Sequence, residues 1–210
     1  MRVQVVCISR TVGARGEIIG RAAAQRLRFR YVDEEVITAA SEKARVDATL
    51  IADAEHQRSF VSRLMDSLAV VPQAKSTLRE VEPRGVASRA GGRGIYRALI
   101  REAIAEIAGE GRAVIVAHAA SMMLAGSPDV LRVLITASAA TRAERVGRSD
   151  KTLDARRAKQ AIERSDRERR DYLREFYNVR DELPTHYDLV INTDVLTPAQ
   201  ALAVILSLAK

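Results

Sequence analysis

The sequence contains one cysteine, no tryptophan and only 4% aromatic residues. A single cysteine, Cys7, excludes an internal disulfide framework and a cysteine-based zinc site. The shortage of aromatic side chains argues against nucleic-acid binding by base stacking, so we do not expect nucleic acid as a partner. No apolar run reaches the length needed to span a bilayer, and we therefore expect no membrane contact.

What is present fits one soluble globular domain. The chain has 210 residues, of which 47% are hydrophobic and 29% charged, and this length can bury a sizeable core. The first predicted strand begins at residue 2, which leaves no room for a signal peptide. We therefore expect a cytoplasmic protein.

The most informative segment lies within the first twenty residues. An apolar run from Val3 to Ile8 leads into a glycine-bearing turn, and a helical pattern begins at Ile18. A buried strand followed by such a turn and a helix start predicts a phosphate site, because turn N–H groups and the positive helix end converge on the anion. In the usual form, G-x-x-x-x-G-K-[ST], lysine reaches the outer phosphates and the hydroxyl holds magnesium. Here Glu17 takes the lysine position and Ile18 that of the hydroxyl.

Alternation of strands and helices along the chain predicts a parallel α/β sheet with right-handed crossovers. The predicted strands are Arg2 to Ile8, Phe29 to Val32, Ala113 to Ala117, Leu131 to Thr136 and Tyr187 to Asn192. The predicted helices include Ile18 to Leu27, Tyr96 to Ala108 and Pro198 to Leu208, the last with Thr197 as its N-cap.

About eighty residues separate the second strand from the third, far more than one crossover requires. Glu34 to Leu68 has a helical pattern, whereas Pro72 to Gly94 is rich in proline, glycine, serine and charge. Two interpretations of the second stretch stay open. It is either a flexible surface linker or a flap that closes over a bound acceptor.

The net charge of +7 is concentrated in one segment: Arg142 to Arg180 carries 13 Lys or Arg against 8 Asp or Glu. Three interpretations compete for it. It can be a solvated helix face with i,i+4 ion pairs, a non-specific nucleic-acid surface, or a lid that folds arginines over a nucleoside triphosphate.

Ordered motifs along nearly the whole chain resemble the cytidylate kinase-like family, a branch of the nucleoside monophosphate kinases with the P-loop fold. The first is Ser-Arg-x-x-Gly-x-x-Gly-x-x-Ile-Gly from Ser9 to Gly20, and Arg142, Arg145 and Arg148 repeat at intervals of three. The other motifs are Tyr31-Val32-Asp33, Val36-Ile37, Val114-Ile115-Val116, Leu131-Arg132-Val133, Arg164 to Tyr172 and Tyr187 to Thr193.

The resemblance implies a P-loop α/β three-layer sandwich with a five-stranded parallel sheet, a helical substrate-side insertion and an arginine-rich lid. We place the core at residues 1–33, 95–141 and 185–210, the insertion at 34–94 and the lid at 142–184. The implied reaction is phosphoryl transfer from ATP, with Mg²⁺, to a nucleoside monophosphate such as CMP or to another small acceptor. It requires in-line positioning and positive charge on the transferring group.

The same resemblance, with the loop pattern, assigns candidate residues. Those that would hold the donor phosphates are Arg10, Gly13, Ala14, Gly16, Glu17 and Ile18. Those that would supply catalytic charge are Arg15, Arg145, Arg164, Arg167 and Arg170. Those that would bind the acceptor are Asp33, His118 and Asp166. No metal ligand is assigned.

Structural alternatives stay open for several of these residues. Asp166 would otherwise form a salt bridge that orders neighbouring arginines, Asp33 would cap a helix at Glu34, and His118 would be a structural donor. Arg15 either folds into the loop to replace the missing lysine or points to solvent, with Glu17 capping the positive helix end.

Two positions depart from the family pattern: Glu17 replaces a basic residue, and Ala117-His118 replaces Gly-Arg. They motivate an alternative function, a non-catalytic nucleotide-binding or regulatory protein. A basic nucleic-acid-binding protein is a third hypothesis, and a homo-oligomer stays open because long helical stretches can pair.

Overall fold

The computed structural model describes residues 2–33, 36, 38–40, 89–116 and 119–209, and only the backbone of 89–96. The strands are β1 (Val5–Arg10), β2 (Arg30–Val32), β3 (Ala113–Val116), β4 (Val130–Thr136) and β5 (Leu189–Asn192). The helices are α1 (Gly16–Leu27), α2 (Arg89–Glu110), α3 (Ala120–Met123), α4 (Ala139–Ser149), α5 (Ala155–Tyr177) and α6 (Pro198–Ala209), with a 3₁₀ turn at Pro184–His186.

All five strands are parallel, in the order β2-β3-β1-β4-β5, which confirms the predicted sheet. β1 lies at the centre, between β3 and β4. It was predicted to end at Ile8, and that boundary is wrong. β4 is long enough to pair with Ser9 and Arg10, which lie opposite Leu134 and Ile135. The turn therefore begins at Thr11.

The sheet is buried on both faces, which explains why its central strands are continuous apolar runs. On one face Ile8 and Val116 pack with α1 and α6 through residues such as Ile19 and Ile205. On the other face Cys7 packs with α2 and α3, and Ile104 is a member of that core. The two cores make a three-layer α/β sandwich and place the carboxyl end of β1 at the middle of one sheet edge.

The arginine-rich segment forms two packed helices. Ser138 caps α4 by accepting a hydrogen bond from Thr141 N, and Asp154 caps α5 from Arg157 N. Val146 of α4 packs against residues of α5 in a small separate core. This packing sets the inner side chains of both helices against the loop after β1.

Two predictions for the segment between β2 and β3 can be compared with the structure only where its residues are described. α2 begins at Arg89, earlier than the predicted start at Tyr96, so residues 89–94 are helical despite three glycines. A glycine costs a helix only about 1 kcal/mol, which a long helix tolerates. The predictions for 41–88, and for Ala117 and His118, fall outside the described residues. In the part of the chain that is described, no helix has the length and apolarity to cross a membrane.

Candidate phosphate-binding site

The loop between β1 and α1 has a backbone shape that depends on its two glycines. Gly13 has a φ of +80°, and a Cβ there would lie 2.8 Å from the carbonyl oxygen of Arg142. A Cβ on Gly16 would lie 2.5 Å from the Cβ of Arg10. The loop is therefore packed closely on its own strand and on α4, and larger residues would push it outward.

The start of α1 faces this loop with its amide groups available. The N-cap, Arg15, has a left-handed backbone with a φ of +67°, and no side-chain hydrogen bond caps the helix. The first N–H groups of a helix have no partner within it and carry the positive end of its dipole. This end of α1 therefore suits an anion, as the sequence predicts.

Glu17, which replaces the usual lysine, forms an ion pair with Arg10. The side chains of Arg10 and Glu17 are 15% and 22% exposed. The carboxylate is thus neutralised from the strand side.

Positive charge approaches the loop from Arg15 and Arg145. Burial lowers the pKa of the Arg145 guanidinium, and the positive charge of Arg15 lowers it further. Arg145 Nη1 donates to the Gly13 carbonyl oxygen at 3.2 Å, whereas Arg15 is exposed. An anion bound at the loop would be attracted by both positive charges.

Asp166 is engaged by Arg142. Arg142 Nη1 and Nη2 donate to the two carboxylate oxygens at 2.9 and 2.7 Å, and Arg142 is only 5% exposed. Of the two hypotheses for Asp166, the salt bridge describes this contact. The role of Asp166 in acceptor binding stays a prediction.

The remaining predicted catalytic arginines, Arg164, Arg167 and Arg170, lie on α5 with exposed side chains. Burial raises the pKa of Glu168, and the charges of Arg164 and Arg167 oppose that rise. Both arginines therefore place positive charge near this carboxylate. They are not brought against the loop in the same way as Arg145.

On the acceptor side, Asp33 follows β2 and accepts a hydrogen bond from Tyr31 Oη at 3.2 Å. The Val36 N–H donates to the Asp33 carbonyl oxygen at 3.4 Å, and residues 36 and 38–40 are helical. The second predicted acceptor residue of this region, His118, lies outside the described residues.

A buried polar cluster holds Arg169, which the family resemblance implied would offer charge at the reaction centre. Arg169 donates to Glu182 through Nε at 2.8 Å and Nη2 at 2.5 Å, and Tyr187 Oη contacts the same carboxylate. Burial opposes ionisation of Glu182, but Arg169 outweighs it and lowers the carboxyl pKa. Burial raises the pKa of Tyr187 to about 12. In the sequence, Arg169 and Tyr187 belong to two of the motifs that resemble the family, and Glu182 lies between those motifs.

Thr193 is a residue that the sequence reasoning left without a role. It follows β5, is 1% exposed, and its hydroxyl lies 3.1 Å from the carbonyl oxygen of Ala14. The available signal was its position, since carboxyl ends of parallel strands meet at the edge where this fold binds ligands.

The described residues supply few groups for a cation. Within the described residues, no three His, Cys, Asp or Glu side chains lie together in a way that suits a metal ion. Ser9 is 3% exposed and donates to Ser121, and Thr11 contacts Thr136. Ile18, at the usual hydroxyl position, is 59% exposed.

The model of the family described as "Cytidylate kinase-like family" matches residues 5–195. This confirms the resemblance found in the sequence motifs. A search of curated proteins gave no significant match.

Solved structures with the same fold have low sequence identity. An uncharacterized protein from Eubacterium ventriosum ATCC 27560 is 14% identical with a TM-score of 0.65, covering 98% of this chain and 97% of its own. A gluconokinase from Sinorhizobium meliloti 1021 is 13% identical with a TM-score of 0.52 and coverages of 100% and 95%. Shikimate kinase from Acinetobacter baumannii, in complex with shikimate, is 12% identical with a TM-score of 0.50 and coverages of 98% and 92%. These similarities establish the kinase-type P-loop fold.

Proposed function

The chain belongs to the cytidylate kinase-like family, and on that premise we propose that it transfers the γ-phosphoryl group of ATP to a small acceptor. A nucleoside monophosphate of the CMP type is the first candidate. Two structural neighbours are named for kinases of other small molecules, so hydroxyl acceptors are included in the proposal.

One observation carries the proposal: the start of α1 has no side-chain cap, and it adjoins a loop whose Gly13 carbonyl oxygen accepts a hydrogen bond from Arg145. The N-terminus of α1 offers N–H groups and a positive dipole. Arg15 and Arg145 add two positive charges beside it. No protein carboxylate compensates this charge from within the loop, because Glu17 is already paired with Arg10. A polyphosphate matches such a site in charge and in hydrogen-bond acceptors.

These residues would position the reactants and stabilise the charge on the transferring phosphoryl group. An acceptor oxygen forms a bond to the γ-phosphorus while the bond from that phosphorus to the bridging oxygen breaks, and the electron pair leaves with ADP. Arg15 would stabilise the charge on the donor side, and Arg145, whose Nη atoms donate to Gly13 and Thr193, would add positive charge from behind the loop. Arg164, Arg167 and Arg170, on the exposed side of α5, would meet the transferring group and the acceptor when the site closes.

Magnesium fits this site only through the substrate. Ile18 provides no hydroxyl, so the ordinary loop ligand is missing. Mg²⁺ retains several waters and binds phosphates well, so it would enter with ATP and would neutralise part of the phosphate charge. The loop would contribute amides and arginines, and Thr11 of the loop has a partly exposed side chain with a hydroxyl.

The test is a turnover assay with ATP and magnesium against a panel of acceptors. The panel contains CMP, the other nucleoside monophosphates and small alcohols such as gluconate and shikimate. We expect ADP to form only when one of the acceptors is added, with the phosphorylated acceptor identified by mass spectrometry. If ATP binds but no acceptor is phosphorylated, the result would favour the second candidate function, a non-catalytic nucleotide-binding or regulatory protein.

That second candidate is a non-catalytic nucleotide-binding or regulatory protein. The Arg10–Glu17 ion pair and the exposed Ile18 favour it, since both occupy positions where an active loop carries a cation and a hydroxyl. It predicts ATP binding by calorimetry without turnover. Acceptor-dependent phosphoryl transfer would eliminate it.

A further inference from the structure

Three consecutive carbonyl oxygens of the phosphate loop are each contacted by a side chain from outside the loop. Arg142 Nη1 lies 3.5 Å from the Val12 oxygen, and Arg145 Nη1 donates to the Gly13 oxygen at 3.2 Å. The Thr193 hydroxyl lies 3.1 Å from the Ala14 oxygen. The Arg142 contact is the longest of the three and therefore the weakest.

These side chains are themselves fixed by other parts of the fold. Arg142 also donates to the Ala137 carbonyl oxygen at 2.9 Å and holds Asp166 of α5 with both Nη atoms. Arg145 donates to the hydroxyl and to the carbonyl oxygen of Thr193. The group therefore ties β4, α4, α5 and the end of β5 to one side of the loop.

Thr193 is the residue at the junction of these contacts. Its hydroxyl accepts from Arg145 at 3.1 Å and lies at the same distance from the carbonyl oxygens of Ala14 and Thr136. A hydroxyl has one hydrogen, so it donates to one of these two carbonyls at a time. The side chain is 1% exposed and sits behind the loop, where a ligand does not reach it.

The geometry of the peptide group links these carbonyl contacts to the direction of the loop N–H groups. The carbonyl of one residue and the N–H of the next lie in one plane and point in opposite directions. A carbonyl of Ala14 held at the back of the loop therefore directs the N–H of Arg15 to the front. That N–H continues the row of uncapped amides at the start of α1.

We infer that Thr193 and Arg142 are positioning residues that, together with Arg145, brace the back of the loop and aim its N–H groups at the donor phosphates. The inference rests on the proposed function, because it names what makes this loop competent for ATP without the usual lysine. A site with fixed dipoles does not have to reorganise when the anion arrives. The brace consists of Arg142, Arg145 and Thr193.

The test compares Thr193→Val with Thr193→Ser. Valine keeps the shape of the buried side chain and removes the hydroxyl, whereas serine keeps the hydroxyl. Hydrogen exchange of the amides in residues 12–16, measured without nucleotide, should become about tenfold faster in Thr193→Val, as expected for loss of one hydrogen bond. Thr193→Ser should exchange like the wild type.

The kinetic readout separates positioning from general loosening. Thr193→Val should raise the KM for ATP about tenfold and leave the KM for the acceptor unchanged, because the brace acts on the donor loop alone. Arg142→Lys provides a second variant that keeps the charge but loses the bidentate contact with Asp166. Arg174→Lys is its matched control, because Arg174 forms an exposed ion pair with Asp171 on the same helix.

Loop exchange at the wild-type rate in both Thr193→Val and Arg142→Lys would overturn the inference. An equal rise in both KM values would do the same, since it would indicate a purely structural role. Failure of the wild type to bind ATP would overturn the proposed function instead, and the exchange measurement would still decide whether the brace exists.

Discussion

The arginines of α4 and α5 fall into two groups that differ in how deeply they are buried. Arg142 and Arg169 are buried or half-buried and bind Asp166 and Glu182 through two nitrogens each. Arg164, Arg167 and Arg170 stand on the exposed side of the same helix, α5. The first group is held by buried or partly buried carboxylates, whereas the second lies at the protein surface.

The difference teaches that arginine spacing alone does not identify a phosphate-binding residue. A guanidinium with both edges on a carboxylate has most of its hydrogen-bonding capacity occupied by the protein. We therefore expect the anchored arginines to determine stability and loop shape, and the exposed arginines to determine activity. Each of the following predictions tests that division.

The largest effect is expected from the exposed arginines. Arg164→Gln, Arg167→Gln and Arg170→Gln should be measured singly, and at least one should reduce kcat by about 10³-fold, the low end for loss of a phosphoryl-stabilising arginine. The free energy of unfolding should stay within about 0.5 kcal/mol of the wild type. Wild-type turnover in all three variants would place the catalytic charge elsewhere.

An opposite pattern is expected for Arg142. Arg142→Met leaves the Asp166 carboxylate without its partner, so we expect a loss of about 3 kcal/mol of unfolding free energy in urea denaturation. Arg174→Met, which breaks an exposed pair on α5, is the control and should change stability little. If the two variants have equal stability, the distinction between anchored and exposed arginines fails.

A smaller effect is expected at the loop itself. Glu17→Gln removes a carboxylate that Arg10 already neutralises, so the ATP affinity should rise only about fivefold, equivalent to about 1 kcal/mol. Calorimetry at two salt concentrations measures this, and the gain should shrink at high salt. Weaker binding in the variant would mean that Glu17 positions Arg10 and does not merely oppose the phosphate.

The smallest effect concerns pH. The folded-state pKa of Glu182 lies below its ordinary value of 4.5, so its contribution to stability is complete above that pH and is lost as the pH falls through the folded pKa. Urea denaturation between pH 6 and pH 3 should show a smaller loss of stability in Glu182→Gln than in the wild type. Equal losses would show that the Arg169 pair is not the acid-sensitive element.

The sequence predicts the sheet well because the sheet depends on local patterns, and continuous apolar runs identified the central strands. The assignment of the turn between Ile8 and Ile18 as an anion site stays a prediction. The end of β1 was misplaced because it depends on the length of β4, which lies more than a hundred residues further along the chain.

The brace and the ion pairs were harder to predict because they join distant segments. Arg142 meets Asp166 only after α4 and α5 pack together, and Thr193 meets Ala14 only when the sheet is assembled. The motif containing Asp166 allowed both a ligand contact and a salt bridge. Three-dimensional packing, and not residue type, determines its partner.

Calorimetric titration of ATP with magnesium into the wild type, Arg15→Gln and Arg174→Gln tests the central claim most directly. The site described here predicts binding to the wild type and to Arg174→Gln with the same Kd, and binding at least tenfold weaker to Arg15→Gln. No binding to the wild type, or the same Kd in all three proteins, would contradict the assignment of this loop as the phosphate site.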